Sequence, residues 1–130
     1  MLSQRAHTDA VIQTLEAFGL PVGDAKRPEG EHNRYCVVYP IPGGEVSGTL
    51  EAPNDDAELV YQVTCVGTRA RDQAEWVVDK ALLLLGGISV ADRYVARVSL
   101  DSLPGIRRDD EVSPPLFYAT PRFRVKTTPA

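Results

Sequence analysis

Two histidines and two cysteines are the residues of this 130-residue chain best suited to act as nucleophile, base or soft metal ligand. His7 lies at the start of a predicted helix and His32 in a polar stretch, and neither has an acid and a nucleophile beside it in a familiar catalytic arrangement. We therefore predict that both histidines are solvated surface residues. Cys36 and Cys65 lie in strand-like segments without metal-ligand spacing, which predicts two reduced core cysteines.

Acidic clusters and glycine pairs are the remaining candidates for chemistry. "NDD" at 54–56 and "DDE" at 109–111 lack the ligand spacing of an EF-hand loop. The glycine pairs at 43–44 and 86–87 lack the GxGxxG or GxxxxGKS/T frame that holds a phosphate. The sequence thus predicts no catalytic residue, no cofactor and no metal, and we expect a protein that is not an enzyme.

The composition is that of a globular chain, with 43% hydrophobic and 25% charged residues. Its length fits a single domain over residues 1–130. The formal net charge of -4 argues against nucleic-acid binding driven by a basic patch. The N-terminal stretch lacks the apolar run of a signal peptide, and the longest apolar run, "ALLLL", is too short to cross a bilayer, so we expect no membrane partner.

Apolar periodicity predicts two helices. Over 8–18, Val11, Leu15 and Phe18 recur at i, i+4 and i+7, and Gly19 follows where a helix commonly ends. Over 69–85, Thr68 is the expected N-cap and a small-residue face is expected to pack on a sheet. The members of that face are Ala70, Ala74, Val77, Ala81 and Leu84.

Trp76 and Leu82 of the second predicted helix are candidates for subunit contacts. Leu82 is expected to be exposed, because it continues the face that carries the acidic residues of this helix. Trp76 flanks the core face, so it is either a partly buried core-edge residue or an interface residue, a role in which tryptophan is enriched.

Alternating β-branched and aromatic residues predict strands at 35–39, 57–67, 94–100 and 116–128. Pro121 interrupts the last of these, which indicates a sheet edge or a bulge. The order of elements predicts an α+β domain, with a mostly antiparallel sheet of about four strands and both helices on one side. The strand–helix–strand step is a possible parallel crossover.

Three stretches carry a resemblance to a known family. They are "YCVVYPIPGGEVSGTL" at 35–50, "DDAELVYQVTCVGTRARDQAEWVVDKAL" at 55–82 and "VSLDSLPGIRRDDEVSPPLFYATPRFRV" at 98–125. Together they make residues 8–128 resemble the tail terminator proteins of long-tailed, siphovirus-type bacteriophages and prophages of actinobacterial hosts. The resemblance implies a small α+β virion protein that assembles in the host cytoplasm and takes its place in the tail or neck.

The resemblance also implies partners. Such proteins form a hexameric ring that caps the tail tube protein, ends tail polymerisation and offers a docking surface to the head–tail connector. Residues 106–115 mix arginines with acids, which suits a polar interface rim, and 116–123 would anchor them as an edge strand. The contact candidates in this region are Ile106, Arg107, Arg108, Asp109, Asp110, Phe117 and Tyr118.

DNA would pass through the ring without specific binding, which favours an acidic or neutral wall. The candidates for the lumen wall are Glu45, Glu51, Asp55 and Asp56, with Glu58 beside them and Asp109, Asp110 and Glu111 as a weaker set. Two alternatives stay open. One is another neck, head–tail connector or tail completion protein, and the other is a small α+β ligand-binding or hydrolase domain with a deep pocket.

Overall fold

The computed structural model describes residues 4–41 and 56–129, and in that part the chain forms two α-helices, one 3-10 helix and seven strands. The first element is α1, Gln4–Ala17, and Gly19 behind it adopts a positive φ of 89° while its N–H donates to the carbonyl of Glu16. That conformation suits glycine and ends the helix where the sequence predicts. The second helix is α2, Arg71–Ala81, which runs into a 3-10 helix over Leu82–Gly86.

The strands build one mixed sheet. Their bounds are β1 Val22–Asp24, β2 Arg34–Ile41, β3 Ala57–Gly67, β4 Arg93–Ser102, β5 Arg107–Asp109, β6 Leu116–Ala119 and β7 Arg122–Pro129. The eleven-residue β3 pairs antiparallel with β2 on one side, and with β6 and then β7 on the other. Outside these, β1 pairs parallel with β2, β5 pairs with β6, and β4 pairs with β7.

The prediction of about four strands is wrong in number, and the described sheet has seven. β1 and β5 have three residues each, too few for a detectable alternation. The predicted strand at 116–128 is two strands, because Pro121 interrupts it. The α+β class is confirmed, and β3 and β4 run parallel with β7 between them, so the step through α2 is a parallel crossover.

Pro121 does not mark a sheet edge. Its carbonyl accepts the N–H of Val63 at 3.0 Å, and the residue is fully buried between β6 and β7. The missing N–H of a proline is tolerated in a gap between two strands that pair in succession with β3. The prediction that 116–123 is an edge strand is therefore wrong, because β6 lies between β3 and β5.

The main core lies between the sheet and the two helices. Val11 and Leu15 of α1 and Val77 and Ala81 of α2 pack in one cluster against strand residues, so both helices lie on one face as predicted. One face of β3 belongs to the same core. Its four residues, Leu59, Tyr61, Val63 and Cys65, are all buried in that cluster.

The start of α2 differs from the prediction. The N-cap residue is Ala70, not Thr68, whose hydroxyl donates to the side-chain oxygen of Asn33 at 3.2 Å. The side-chain oxygen of Gln73 in the first turn accepts the N–H of Arg69 at 2.9 Å and of Ala70 at 3.3 Å, the two residues that precede the helix. This is the half of a capping box in which the side chain at N3 accepts the N–H of the N-cap residue.

Candidate subunit-contact surfaces

The hairpin formed by β5 and β6, residues 107–119, brings most of the predicted contact residues together. Arg107 lies opposite Tyr118, and Arg108 opposite Phe117. The Arg108 guanidinium makes an ion pair of 2.6 Å with Asp110 and lies 5.9 Å from the centre of the Phe117 ring. The predicted contact loop is thus partly a strand with its own internal ion pair, and its charged groups are exposed or half-buried.

The base of the hairpin is anchored on the sheet face that carries no helix. Tyr118 and Leu116 pack against a second apolar cluster, whose buried members are Tyr35, Val37 and Val66. These three belong to β2 and β3 and point away from the main core. Both faces of β2 are therefore buried. The hairpin is held by packing against β2 and β3.

Trp76 is half-buried and faces two cations. The guanidinium of Arg34 lies 3.8 Å from the centre of a Trp76 ring, and the ammonium of Lys80 lies at 5.4 Å. Such cation–π contacts hold the indole in place. Leu82 was expected to be exposed, and this is wrong: it is partly buried against the main core, as is Val78 one turn before it.

Three adjoining grooves connect Trp76 with the hairpin, and we call them the groove surface. Their volumes are about 340, 400 and 480 Å³. The first two share Glu31, His32 and Asn33, and the last two share Thr68 and Arg69. Among the described residues that line the groove surface there is one acid, Glu31, and there are four arginines: Arg27, Arg34, Arg69 and Arg108.

The described lumen candidates lie at two separate places: Asp56 and Glu58 at the start of β3, and the weaker set Asp109, Asp110 and Glu111 in the hairpin. Glu45, Glu51 and Asp55 fall outside the described residues. Asp56 is exposed and precedes Ala57, at the opposite end of β3 from the hairpin. Glu58 makes an ion pair of 3.3 Å with Arg124, while the weaker candidate Asp110 is neutralised by Arg108. Asp56 and the weaker candidate Glu111 are thus the exposed candidates that make no ion pair within the described residues.

The histidines occupy different environments. His7 was expected at the surface, and this is wrong: it is fully buried, with Nε2 2.8 Å from the hydroxyl of Thr127 in β7. The helix start that looked polar in sequence packs directly on the sheet. His32 is half-buried and its Nε2 lies 2.8 Å from the carbonyl of Glu29, which is consistent with a loop position.

The cysteines are buried in the main core, as predicted. Cys36 and Cys65 face each other across β2 and β3 and are both free thiols. Burial raises the pKa of the Cys36 thiol to about 12 and that of Cys65 well above its ordinary value. Raised pKa values keep both thiols protonated and therefore poorly nucleophilic.

Over residues 4–41 and 56–129 we find no cluster of three His, Cys, Asp or Glu side chains arranged to hold a metal ion. In the same ranges no helix has the length and apolar character needed to cross a membrane.

The sequence reasoning missed the outer strand β4 as a surface of interest. Tyr94 is 67% exposed, and Leu100 and the nearby Leu103 are exposed as well. The alternating residues of 94–100 predict a strand, but they do not show which other strand pairs with it. The exposed leucines of the run "ALLLL" are Leu83 and Leu85, not Leu82.

Comparison by sequence finds no matching family model and no matching curated protein. Comparison of structures finds a similar chain in the "virion of native gene transfer agent (GTA) particle", with a TM-score of 0.64 and 13% sequence identity. The alignment covers 97% of this chain and 99% of that chain. The two chains therefore share a fold over nearly their entire lengths.

Proposed function

We propose that this protein is a non-enzymatic structural component of a phage-like virion. The observation that carries the proposal is the near-complete mutual coverage with a virion chain, 97% and 99%. At 13% identity this likeness concerns the fold alone. The structural role is inferred from a second line of support, the resemblance of residues 8–128 to tail terminator proteins. Those proteins are also small α+β domains.

The finer proposal is a tail terminator, a subunit of a hexameric ring that caps the tail tube and receives the head–tail connector. A ring of identical subunits requires two different complementary surfaces on each copy. The groove surface, with its four arginines, is one candidate, since it would accept an acidic surface of a neighbour. Arg69 is its most available cation, because it is exposed and makes no ion pair or cation–π contact within the described residues, whereas Arg108 is paired with Asp110.

The lumen wall is the second part of the proposal. Asp56 and the candidates Glu45, Glu51 and Asp55 would line the passage, where carboxylates avoid the phosphate contacts that slow a passing polyanion. Asp56 lies at the end of β3 remote from the hairpin, so one end of the sheet would face DNA and the other a protein neighbour.

The test is deletion of the gene in the phage or prophage that carries it, followed by electron microscopy of the lysate. A tail terminator predicts tails of uncontrolled length beside filled, unjoined heads, and restoration by the wild-type gene. Tails of normal length that fail to join heads would contradict the terminator role and favour a connector or completion protein. Normal infectious particles would exclude an essential virion role of either kind.

A matched pair of variants tests the hairpin surface. Arg107→Glu reverses an exposed charge on β5, and we expect complementation to fall by at least about tenfold, since like charges across an interface cost several kcal/mol. Lys126→Glu makes the same change on β7, at an exposed site far from the hairpin, and should complement normally. Equal complementation by both variants would remove the hairpin from the contact surface.

A further inference from the structure

β4 offers an open sheet edge. It pairs with β7 along one side, and no strand among the described residues pairs with its other side. An edge of this kind presents a row of backbone N–H and C=O groups that another chain can pair with. At ten residues, β4 is the longest of the strands that lie at the margins of the described sheet.

Large exposed apolar side chains collect at the same edge. Tyr94 and Leu100 belong to β4, and Leu103 follows its end by one residue. Leu83 and Leu85 lie on the 3-10 helix, which contacts β4. Val112 is the sixth large exposed apolar residue of the described chain and lies elsewhere. Such a concentration is typical of an association surface.

Charged side chains on the helix-free face differ between the two ends of β4: Arg97 lies opposite Lys126 of β7 at one end, and Asp101 pairs with Arg124 at the other. Arg124 makes ion pairs with Glu58 at 3.3 Å and with Asp101 at 3.0 Å, so this group has one positive and two negative charges. Arg97 on the same face is exposed and makes no ion pair with any described residue. Arg97 and Asp101 are four residues apart, about 13 Å along one strand, too far for direct contact.

From this pattern we propose that β4 pairs antiparallel with β4 of a second copy, with the two-fold axis at Ser99. This register places Arg97 opposite Asp101 of the other copy, which forms two cross-strand pairs of opposite charge. It also places Val98 opposite Leu100, and both lie on the helix-side face, because their partners in β7 are the core residues Val125 and Phe123. Shifting the axis by one residue to Val98 would place Asp101 opposite Val95 and lose the match.

Irregularities in β4 limit the length of this contact. The register with β7 shifts between Val95 and Arg97 and again between Leu100 and Ser102, which leaves a short regular edge around the proposed axis. Bulges of this kind protect edges from extended pairing. The pair is therefore a reversible contact of the unassembled protein. A two-fold contact differs from the head-to-tail contact of a ring, and the inference does not depend on the proposed virion role.

Symmetric cross-linking tests the register. Ser99→Cys places a thiol opposite its own copy, where directly opposed Cβ atoms lie about 4.5–5.5 Å apart, and mild oxidation should convert most of the protein to a covalent dimer. Ala96→Cys is the control, since its two copies would be separated by about 20 Å along the strands. The native cysteines are buried and should not interfere. Equal cross-linking of both variants, or none for Ser99→Cys, overturns the proposed pairing.

Sedimentation equilibrium of the non-oxidised protein supplies an independent measurement. The wild type should show a reversible transition from 14.2 kDa to twice that mass. Arg97→Glu replaces two attractive cross-strand pairs by repulsive ones and should raise the dimer dissociation constant about tenfold or more. Circular dichroism checks that this variant folds. A wild type that stays monomeric at several hundred micromolar, or an unchanged constant for Arg97→Glu, would refute the proposal.

Discussion

The hydroxyl of Thr127 ties the first helix to the interior of the sheet. It lies 2.8 Å from Nε2 of His7 and accepts the Nε–H of Arg93 at 3.2 Å, and both Thr127 and His7 are fully buried. Thr127→Val keeps the shape but removes the hydroxyl, and we expect the free energy of unfolding to fall by about 1–3 kcal/mol. Thr128→Val, at a half-buried neighbouring position, is the control and should change it by less than about 0.5 kcal/mol. Urea unfolding measures both, and equal losses would contradict this account.

Alkaline pH should destabilise the protein through its buried thiols. The unfolded Cys36 thiol ionises near its ordinary pKa of 9.0, while in the folded protein its pKa is about 12. Above pH 9 the folded state therefore holds a proton that the unfolded state has lost, so stability falls as pH rises, by up to about 1.4 kcal/mol per pH unit for each such group. Burial also raises the pKa values of Cys65 and Tyr61, so both groups add to the same trend.

The variant Cys36→Ala isolates this contribution. Its stability at pH 7 will be lower because a buried side chain is shortened, but its decline between pH 9.5 and 10.5 should be shallower than that of the wild type by about 1 kcal/mol. Thermal or urea unfolding across this range gives the two slopes. Parallel slopes would mean that Cys36 ionises equally in both states.

Two predictions about single residues were wrong for the same reason. His7 was expected at the surface and Leu82 was expected to be exposed, yet both are inside or partly inside. Polarity and helical periodicity decided these two predictions, whereas His7 is buried beside a hydroxyl of β7 and Leu82 packs on the main core beside Val78. Neither is visible in the local sequence.

At the scale of elements, β3 and α2 approach each other so closely that one residue must be glycine. A Cβ on Gly67, the last residue of β3, would lie 2.5 Å from the backbone nitrogen of Ala74. Gly67→Ala should lower the free energy of unfolding by about 1–3 kcal/mol, since the backbone of α2 would have to move.

Gly86→Ala is the matched control for this prediction. A Cβ at Gly86, the end of the 3-10 helix, meets no atom within 4 Å, and alanine favours a helical backbone, so stability should be unchanged or slightly raised. Chemical denaturation of the two variants side by side decides the matter. Comparable destabilisation by both would show that glycine is required for backbone flexibility and not for the close approach.

Long elements with a clear period were predictable, and short ones were not. The alternation of β3 and the apolar stripe of α1 each define one face, and both of these faces are buried in the main core. β1 and β5 form because neighbouring strands offer them hydrogen-bonding partners, a property of the folded sheet. The same holds for Pro121, whose place inside the sheet depends on successive pairing with β3.

At the scale of the whole molecule, the lumen proposal concerns charge. In the proposed ring, Asp56→Lys would replace exposed carboxylates by ammonium groups that bind phosphate. Tails should still assemble, but DNA ejection should be slower at low salt and recover at high salt, where such contacts weaken. Asp79→Lys makes the same change on the exposed face of α2 and should eject normally. Normal ejection by Asp56→Lys at low salt would place this residue outside the lumen.

The candidate surfaces were predictable only in part. The mixed charges and prolines of residues 106–115 identified the contact candidates, and the structure gathers them on one hairpin. Their connection to Trp76 through Thr68, Arg69 and His32 depends on the arrangement of loops at the end of the sheet, which no spacing in the sequence encodes. The open edge of β4 likewise depends on the order of strands in the folded sheet, which the sequence does not show.

The position of β7 has a consequence for synthesis of the protein. This strand is the last of the sheet in chain order, yet it lies between β3 and β4 and supplies the buried residues Phe123 and Val125. While the ribosome still holds the final strand, β3 and β4 stand apart with an open slot between two hydrogen-bonding edges. We expect the nascent chain to be most vulnerable to aggregation and proteolysis in that interval, and to become protected in one step when β7 emerges and fills the slot.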